Sequence, residues 1–413
     1  MNYVVIGNSA AAVGCVEGIR KVDATGAITL ISDESHRAYS RPLISYWLSG
    51  KVDDERMYYR NEDFYEKNHV KTLLGVRVTA LDAAAKTVTL SDGTVLPYDS
   101  LMVATGSRPF VPPIAGVQDC PQAVTFLDWD SARRLKGMVN KKSRVVVLGA
   151  GLIGLKVTEG LAGHVAGITV VEMAAHLMPS VLDDDSAAML QRHIEKNGVS
   201  FIYEDPAAKV SGNLLTLGSG RELAFDVLVL AAGVRPNVEL VRDAGGTVNR
   251  GIIVNSFMQT SLPDVYAAGD CVEAMDVVSG ARKIMALLPN AYMQGEAAGK
   301  TMAGAPEGFE KSMPMNAIGF FGMPLCTAGD YDGEAYVKIE EDSFKKLFFK
   351  DDRLVGYILI SDVDRAGIYT ALIREKVDLK GVDLELLRQR PQLMLFSNKA
   401  DRKRIVAGGS ITQ

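Results

Sequence analysis

Two glycine-rich segments of this chain have the residue spacing of a phosphate-binding turn. The first runs Val-Val-Ile-Gly-Asn-Ser-Ala-Ala-Ala over residues 4–12, and the second runs Val-Val-Val-Leu-Gly-Ala-Gly-Leu-Ile-Gly over residues 145–154. Each follows a Val/Ile-rich run and precedes a stretch of helical character, which is the context that such a motif requires. The first glycine allows a tight turn, and the second lets the backbone approach a pyrophosphate at the helix N-terminus. The sequence therefore predicts two dinucleotide sites.

The two motifs differ in how closely they follow the pattern. The second has glycine at all three spaced positions, whereas the first has serine and alanine at the second and third. Alanine is an accepted variant at the third position, but the serine adds a Cβ where the phosphate must come close. Either motif alone could instead reflect close packing of a strand against a helix. The predicted contacts are Gly7, Ser9, Ala10, Ala11 and Ala12 in the first motif and Gly149, Gly151, Leu152, Ile153 and Gly154 in the second.

Composition excludes several classes of function. A net charge of −5 over 413 residues argues against nucleic-acid binding. No apolar run has membrane-spanning length, and the predicted strand at residues 3–6 leaves no room for a signal peptide, so we expect a cytoplasmic protein. The four cysteines form no C-x-x-C pair, so we expect neither a metal site nor a disulfide framework.

The order of elements predicts parallel sheets. Residues 3–7, 10–21 and 28–31 read as strand, helix and strand, and residues 144–172 repeat this order. Residues 87–103 read as a hairpin followed by a buried strand. The two glycine motifs thus belong to a loose internal duplication, typical of an α/β fold with two doubly wound dinucleotide-binding domains.

The C-terminal part has a different pattern of apolar and polar residues. Three antiparallel strands are predicted over 335–342, 344–353 and 354–362, followed by a helix over 363–376. This pattern predicts an α+β domain. Prolines near residue 110 indicate a boundary, and the predicted segments are 1–110, 111–233, 234–312 and 313–413.

Four further motifs carry a family resemblance. They are Leu-Met-Val-Ala-Thr-Gly-Ser-Arg-Pro (101–109), Ala-Ala-Gly-Val-Arg-Pro-Asn (231–237), Thr-Ser-Leu-Pro-Asp-Val-Tyr-Ala-Ala-Gly-Asp-Cys (260–271) and the segment 38–50. Together they resemble the two-dinucleotide flavoprotein reductases of the pyridine nucleotide-disulfide oxidoreductase superfamily. Segment 38–50 is similar to the branch with rubredoxin reductases, oxygenase-coupled ferredoxin reductases, NADH oxidases and nitrite reductase flavoproteins.

The resemblance implies the cofactors and their sites. FAD would be held by segments 1–110 and 234–312, NADH by segment 111–233, and segment 313–413 would form an interface domain. A carboxylate at the end of the second strand would take the adenosine ribose of FAD, and we favour Glu34 over Asp33. Asp270 would accept a ribitol hydroxyl, and the helix beginning at Leu288 would direct its N-terminus at the flavin pyrimidine. Further residues implied by the resemblance are Arg41, Pro42, Ala104, Thr105, Gly106, Arg108, Gly233, Gly269 and Pro289.

The choice of nicotinamide cofactor depends on Glu172. It ends the second strand of the second βαβ unit, where a carboxylate binds the adenosine 2′-hydroxyl of NAD and repels the 2′-phosphate of NADP. The next three residues include no arginine, and His176 is the only nearby group that could oppose this preference. We therefore expect NADH to be preferred.

The chain departs from the family at its reacting groups. By resemblance, Pro42 stands where oxidases and peroxidases of the family carry a redox cysteine, and Ala10 stands where they carry a histidine. A sulfenic-acid mechanism is therefore disfavoured. The family also often pairs a lysine with a glutamate near the flavin N5, and these positions hold Tyr46 and Lys156. Lys156 could stabilise the reduced flavin as a catalytic group, or it could extend to solvent.

We therefore predict an FAD-dependent NADH:acceptor oxidoreductase that passes electrons to a small redox protein such as rubredoxin or ferredoxin. The alternatives are a peroxide-forming NADH oxidase and, from another class, a redox sensor or a subunit of a larger complex. The resemblance implies a homodimer through residues 313–413, and the apolar runs 317–325 and 354–360 support it because they exceed what a small domain needs. The basic run at Lys399, Arg402, Lys403 and Arg404 could meet an acidic redox protein, or it could be a solvated tail.

Overall fold

The computed structural model describes residues 1–396, 402–403 and 405–406. The predicted segment 313–413 and the basic run therefore lie partly outside the described residues. Segment 1–110 contains strands β1 Asn2–Ile6, β2 Ala27–Ser32, β3 Val70–Leu74, β4 Val78–Asp82, β5 Thr87–Leu90, β6 Val95–Pro97, β7 Ser100–Val103 and β8 Ser107–Pro109. Its α-helices are α1 Ala10–Arg20, α2 Ile44–Leu48 and α3 Phe64–Lys67, and it has 3-10 turns at Arg41–Leu43 and Glu55–Met57.

The middle of the chain repeats much of this order. Its strands are β9 Ala123–Thr125, β10 Arg144–Leu148, β11 Gly167–Val171, β12 Val199–Ile202, β13 Ala207–Ser211, β14 Leu214–Leu217, β15 Glu222–Ala224, β16 Val227–Leu230 and β17 Val234–Pro236, and its helices are α4 Trp129–Met138, α5 Leu152–Leu161 and α6 Asp184–Glu195. The chain continues with α7 Glu239–Asp243, β18 Ile252–Ile253, β19 Val265–Ala267, β20 Val272–Met275, β21 Arg282–Lys283 and α8 Leu288–Met302.

Two five-stranded parallel sheets carry the two glycine motifs. Their strand orders are β19-β7-β1-β2-β3 and β12-β11-β10-β16-β9. In both sheets, the glycine motif follows the central strand, β1 or β10. A three-stranded antiparallel sheet, β4-β5-β6 or β13-β14-β15, comes in the chain just before β7 or β16, the second strand that pairs with the central one. The predicted duplication and the α/β fold class are confirmed. Because β19 adds to the sheet of β1, residues on both sides of the middle segment contribute to the first sheet.

The C-terminal part is a five-stranded antiparallel sheet. Its strands are β22 Met315–Phe320, β23 Met323–Gly329, β24 Glu334–Ile339, β25 Phe344–Lys350 and β26 Arg353–Ile360, in the order β22-β23-β26-β25-β24. Helices α9 Ala366–Arg374 and α10 Leu384–Gln389 and a 3-10 turn at Leu393–Leu395 follow. The sequence predicted only the last three strands, because glycines and a proline in 317–325 obscured the alternation of β22 and β23.

Run 354–360 of this sheet is mostly buried within the chain, whereas run 317–325 is only partly buried. Phe320, Leu325, Ile358 and Ile360 pack against side chains of the second parallel sheet and of α2. Leu354 and Leu359 pack on the other side, together with Tyr369 and Leu372 of α9. Run 354–360 is thus largely taken up by intrachain packing and gives little support for a dimer, whereas Ala317 and Gly322 of run 317–325 are exposed and five other residues of that run are half-buried. The dimer itself stays a prediction.

Helices α1 and α8 pack against each other in parallel through glycines. A Cβ at Gly295 would lie 2.0 Å from the carbonyl oxygen of Ala11, and one at Gly299 would lie 2.2 Å from that of Cys15. From the other side, a Cβ at Gly14 would lie 2.3 Å from the Tyr292 oxygen. Contact partners thus advance together along both helices, so their N-termini point toward the same end of the first sheet. Of the helices that the structure describes, none is long and apolar enough to cross a membrane.

This contact can be tested with Gly295→Ala. We expect a loss of about 1–3 kcal/mol in the free energy of unfolding, because the added methyl group must separate two backbones in a packed core. The matched control is Gly137→Ala in α4, where a Cβ meets nothing within 4 Å. There the substitution should stabilise the helix by about 0.5–1 kcal/mol. Urea unfolding of both variants measures the difference, and equal effects would contradict the close helix contact.

Candidate functional site

The first glycine motif forms a tight turn at the carboxyl end of β1. Gly7 has a φ of +116°, and a Cβ there would lie 2.2 Å from the carbonyl oxygen of Ala104, so this position requires glycine. Ser9 precedes α1, and its backbone carbonyl accepts the N–H of Val13. In the part of the chain that the structure describes, the Ser9 side chain accepts no hydrogen bond from the backbone amides in the first turn of α1. The helix N-terminus is therefore available to an anionic ligand.

A charged cluster lies beside this turn at the end of β2. Glu34 accepts a hydrogen bond of 2.6 Å from the Tyr39 hydroxyl and pairs with the Arg41 guanidinium. The Tyr39 hydroxyl in turn accepts the N–H of Trp129 at 3.0 Å. Asp33, by contrast, pairs with Arg77 at 3.1 Å, and both side chains are more than half exposed. The structure thus brings Glu34 and Arg41 together and turns Asp33 toward solvent.

Strands β7 and β19 place Asp270 at the same sheet edge. They are parallel neighbours, so the Ala104–Gly106 turn and the Gly269–Asp270 turn follow adjacent strand ends. Burial raises the pKa of the Asp270 carboxyl, and the positive charge of Arg41 partly opposes this shift. The hydrogen bond it accepts from Ser107 Oγ is long, at 3.5 Å. Such a carboxyl has capacity left for a hydroxyl donor from a ligand.

The remaining residues predicted for the first site lie around this edge. Helix α8 begins at Leu288, with Pro289 in its first turn, as expected. Arg108 is further out, where it pairs with Glu239 at 2.8 Å and is half exposed. Pro42 lies in the 3-10 turn Arg41–Leu43, and Ala10 is the first residue of α1.

The second glycine motif repeats the arrangement of the first. A Cβ at Gly149 would lie 2.4 Å from the Ala231 oxygen, and one at Gly154 would lie 1.9 Å from the Gly149 oxygen. At Gly151, which precedes α5, a Cβ would meet nothing within 4 Å, so its missing side chain leaves open space above the turn. Gly233, at the end of the neighbouring strand, has a φ of +99° and similar open space. These positions fit a bound pyrophosphate, which needs close approach to the backbone.

Glu172 lies against this turn from the end of β11. Its carboxylate accepts the N–H of Ala150 at 2.8 Å and that of Ala174 at 3.0 Å. His176 is engaged elsewhere, through Nδ1 with the Leu177 carbonyl at 2.8 Å and through Nε2 with Asp184 at 3.5 Å. His176, which the sequence offered as a partner for a 2′-phosphate, is therefore already paired with the Asp184 carboxylate.

Lys156 and Tyr46 are brought together, but a third residue joins them. The Lys156 ammonium lies 3.3 Å from the Tyr46 hydroxyl and 2.5 Å from the Glu159 carboxylate. Lys156 is only 9% exposed, so the alternative of a lysine extending to solvent is wrong. Sequence reasoning missed Glu159, although its spacing of three residues from Lys156 on a helix was a usable signal. The acid that the chain lacks at the family's position is present one turn further along α5.

Three of the four cysteines are buried, and the fourth, Cys326, is half-buried. Burial raises the pKa of Cys271 to about 11, and its Sγ lies 3.4 Å from the Ala268 oxygen. The pKa values of Cys15 and Cys326 are raised by burial as well. These environments oppose thiolate formation. Among the described residues, no group of three or more histidine, cysteine or carboxylate side chains could hold a metal ion.

Comparison with known proteins identifies the family. Residues 1–295 match the family described as pyridine nucleotide-disulphide oxidoreductase, and residues 314–377 match the rubredoxin NAD+ reductase C-terminal domain. The chain belongs to the pyridine nucleotide-disulphide oxidoreductase family. It is therefore an NAD(P)H-dependent flavoprotein oxidoreductase, of a family whose cofactors are FAD and NADH. The predicted family and enzyme class are confirmed.

Individual relatives differ in the roles that their names describe. The chain is 32% identical to the NADH-dependent phenylglyoxylate dehydrogenase subunit epsilon of Aromatoleum evansii, over 91% of this chain and 92% of that protein. It is 31% identical to the assimilatory nitrate reductase electron transfer subunit of Bacillus subtilis (strain 168), over 99% of this chain but only 54% of that protein. The chain thus spans nearly all of the first relative and about half of the second.

Solved structures share the fold. Putidaredoxin reductase, in its covalent complex with putidaredoxin, superposes with a TM-score of 0.87 at 24% identity and covers 100% of this chain and 99% of that chain. An NAD-dependent persulfide reductase from A. fulgidus superposes with a TM-score of 0.86 at 26% identity, covering 92% of this chain and 78% of that one. The first of these likenesses concerns the fold alone.

The FAD site can be tested at Asp270. Asp270→Ala should weaken FAD binding by at least about tenfold and so lower the FAD content left after dialysis, because a hydrogen bond to a charged group contributes about 1.5–3 kcal/mol. Asp63→Ala is the control, since Asp63 is a half-exposed carboxylate of segment 1–110 that pairs with Lys67. FAD content is measured from the ratio of flavin to protein absorbance after dialysis. Unchanged occupancy in Asp270→Ala would show that its carboxylate does not hold the cofactor.

Proposed function

We propose that the chain is an FAD-dependent NADH:acceptor oxidoreductase that needs no redox-active cysteine. Bound FAD would supply the redox chemistry between NADH and an electron acceptor. The observation that carries the proposal is the pair of glycine turns, each at the carboxyl end of a parallel sheet and each beside a carboxylate. In the first, Gly7 and Glu34 would hold the FAD pyrophosphate and ribose. In the second, Gly151 and Glu172 would do the same for NADH.

The remaining site residues would divide between the two cofactors. Arg41 would neutralise the FAD pyrophosphate, which requires it to leave or share its pairing with Glu34. The half-buried Asp270 would accept a ribitol hydroxyl, and the N-termini of α1 and α8 would stabilise negative charge on the same cofactor. Tyr46 and Lys156 would lie at the junction of the two sites. We further propose the segments 1–110 with 234–312 for FAD, 111–233 for NADH and 313–413 as an interface domain, in a cytoplasmic homodimer.

A small redox protein such as rubredoxin or ferredoxin is the proposed acceptor. The match of residues 314–377 to a rubredoxin NAD+ reductase domain supports it. So does a relative of 34% identity over 65% of this chain, the nitric oxide reductase FlRd-NAD(+) reductase of Salmonella agona. A peroxide-forming oxidase is the alternative, supported by 32% identity to an NADH oxidase of Methanocaldococcus jannaschii over 75% of this chain.

The test is reduction of rubredoxin and of ferredoxin by NADH under anaerobic conditions, followed by NADH consumption in air without them. Rapid reduction of either protein supports the proposal. Fast consumption in air, with hydrogen peroxide accumulating and neither protein reduced, would favour the oxidase.

A second candidate is an electron-transfer subunit of a larger enzyme. The observation that favours it is the match along almost the full length of a relative that is itself a subunit. In that case NADH would still reduce the flavin, but neither rubredoxin nor ferredoxin would be reduced at a useful rate. Co-purification of the native protein with other oxidoreductase subunits would distinguish this candidate from the first.

Cofactor choice can be tested at Glu172. The parent protein should use NADH at least about tenfold better than NADPH, because one misplaced charge easily costs about 1.4 kcal/mol. Glu172→Ala should narrow the preference for NADH over NADPH. Glu222 is an exposed carboxylate of the same segment, so Glu222→Ala should leave that preference unchanged. The measurement is kcat/KM for both nucleotides with ferricyanide. An unchanged ratio in Glu172→Ala would show that its carboxylate does not face the ribose.

A further inference from the structure

The Lys156 ammonium is enclosed where three parts of the chain meet. It contacts the Glu159 carboxylate on its own helix, the Tyr46 hydroxyl from α2 and the carbonyl oxygen of Gly319, at the end of β22, at 3.1 Å. The ring centroids of Tyr46 and Phe320 lie 4.4 and 5.7 Å from the ammonium nitrogen, at cation–π distances. The positive charge therefore has a partner on every one of these three elements.

Glu159 serves the same junction with its second oxygen. Its Oε1 accepts the backbone N–H of Phe321 at 3.2 Å, and the Lys51 ammonium lies 3.9 Å away. The Glu159 and Lys156 side chains are each 11% exposed, so their attraction is little screened by solvent. One carboxylate thus binds both the lysine and the turn that joins β22 to β23.

Other contacts hold the same turn and the same helices. The carbonyl oxygen of Phe321 lies 3.0 Å from Nε2 of His193, on α6. A Cβ at Gly160 would lie 2.9 Å from the Ser45 oxygen, so α5 and α2 approach closely just after Glu159. The turn is therefore held from α5 and from α6, both of which pack on the second parallel sheet.

We propose that Glu159 is a positioning residue of this enzyme. Through Lys156 and the Phe321 amide, it clamps the β22–β23 turn and α2 onto α5, the helix that begins at the second glycine turn. The C-terminal sheet and the proposed NADH turn are thereby fixed relative to each other. Its consequence for hydride transfer rests on the proposed function, whereas the clamp itself does not.

The energetics of buried ion pairs give the clamp a distinctive signature. Removing one partner leaves an uncompensated buried charge, which is costly, whereas replacing both by apolar side chains of similar size is often tolerated. The double replacement Lys156→Met with Glu159→Leu should therefore recover much of the thermal stability that either single change loses. It cannot restore the acceptor for the Phe321 N–H, so the turn should stay loose. If the ion pair only stabilised the fold and did not hold the turn, the double variant would recover both its thermal stability and the protection of the turn from hydrogen exchange.

Hydrogen–deuterium exchange of the FAD-loaded protein tests this directly. In Glu159→Leu and Lys156→Met, exchange in a peptide covering residues 318–323 should rise by about tenfold or more, while β25 and β26 keep their protection. In the double variant this exchange should remain fast although the melting temperature recovers. Glu159→Asp, which keeps the charge on a shorter side chain, gives the same comparison if a single variant does not fold. The control is Lys338→Met with Glu340→Gln, an exposed pair at 2.6 Å in the same sheet, which should leave 318–323 unchanged.

A kinetic measurement separates this proposal from the proposed function. In Glu159→Gln, the rate at which NADH bleaches the flavin should fall by about tenfold, with FAD content unchanged, if about 1.4 kcal/mol of positioning is lost. If the parent flavin is not reduced by NADH, the proposed function fails and the exchange result still stands. Protection of 318–323 that is unchanged in both single variants would overturn the clamp.

Discussion

The close parallel contact of α1 and α8 is the constraint on which the first site depends. Backbones can approach this closely only where side chains are missing, and glycines on both helices supply that absence. Because the helices are parallel, their N-termini reach the same sheet edge and add their positive ends there. α8 also fixes the neighbouring turn, since the buried amide oxygen of Gln294 accepts the N–H of Gly269 at 2.9 Å. The position of Asp270 thus follows from a helix that comes late in the chain.

The second sheet has the same strand pattern but a different neighbour for its motif helix. Where α1 packs on α8, α5 packs on α2 and reaches the C-terminal sheet through Lys156 and Glu159. The motif helix of the first sheet is therefore held by a glycine-lined contact with another helix. The motif helix of the second sheet is linked to the C-terminal sheet by a buried ion pair. Glycine contacts tolerate little displacement, since they are set by backbone sterics. An ion pair between elements depends on both charges being present, so the second junction is the one that single charge changes should loosen.

Much of the fold could be predicted because its signals are local. Each glycine motif follows an apolar strand, and both βαβ units, the hairpin of 87–103 and the last three strands were recognisable from periodicity and turn residues. Strands β22 and β23 were not recognised, because Gly319, Gly322 and Pro324 interrupt their alternation. The burial of run 354–360 within the chain was also missed. Whether an apolar run packs internally or between subunits depends on tertiary contacts that a sequence pattern does not contain.

Prediction of the site was limited in the same way. Gly151 is found from the spacing of its motif and Asp270 from the family resemblance, whereas Glu159 and Gln294 act through contacts with distant segments. The prediction that the charge of Lys156 could stabilise the reduced flavin was made without Glu159. With Glu159 at 2.5 Å the pair is nearly neutral, so its effect on a nearby flavin would come from geometry more than from net charge.

Cys271 is a poor candidate for relaying electrons out of the proposed FAD site. It follows Asp270 directly, but a pKa of about 11 leaves roughly one thiolate in ten thousand molecules at pH 7. Its sulfur is also fully buried against the backbone of β7 and β19. A thiol relay from this position would have to overcome both the proton and the packing. Electrons would therefore leave from the cofactor itself, and acceptor choice would be decided by the surface around the cofactor edge rather than by a group inside the site.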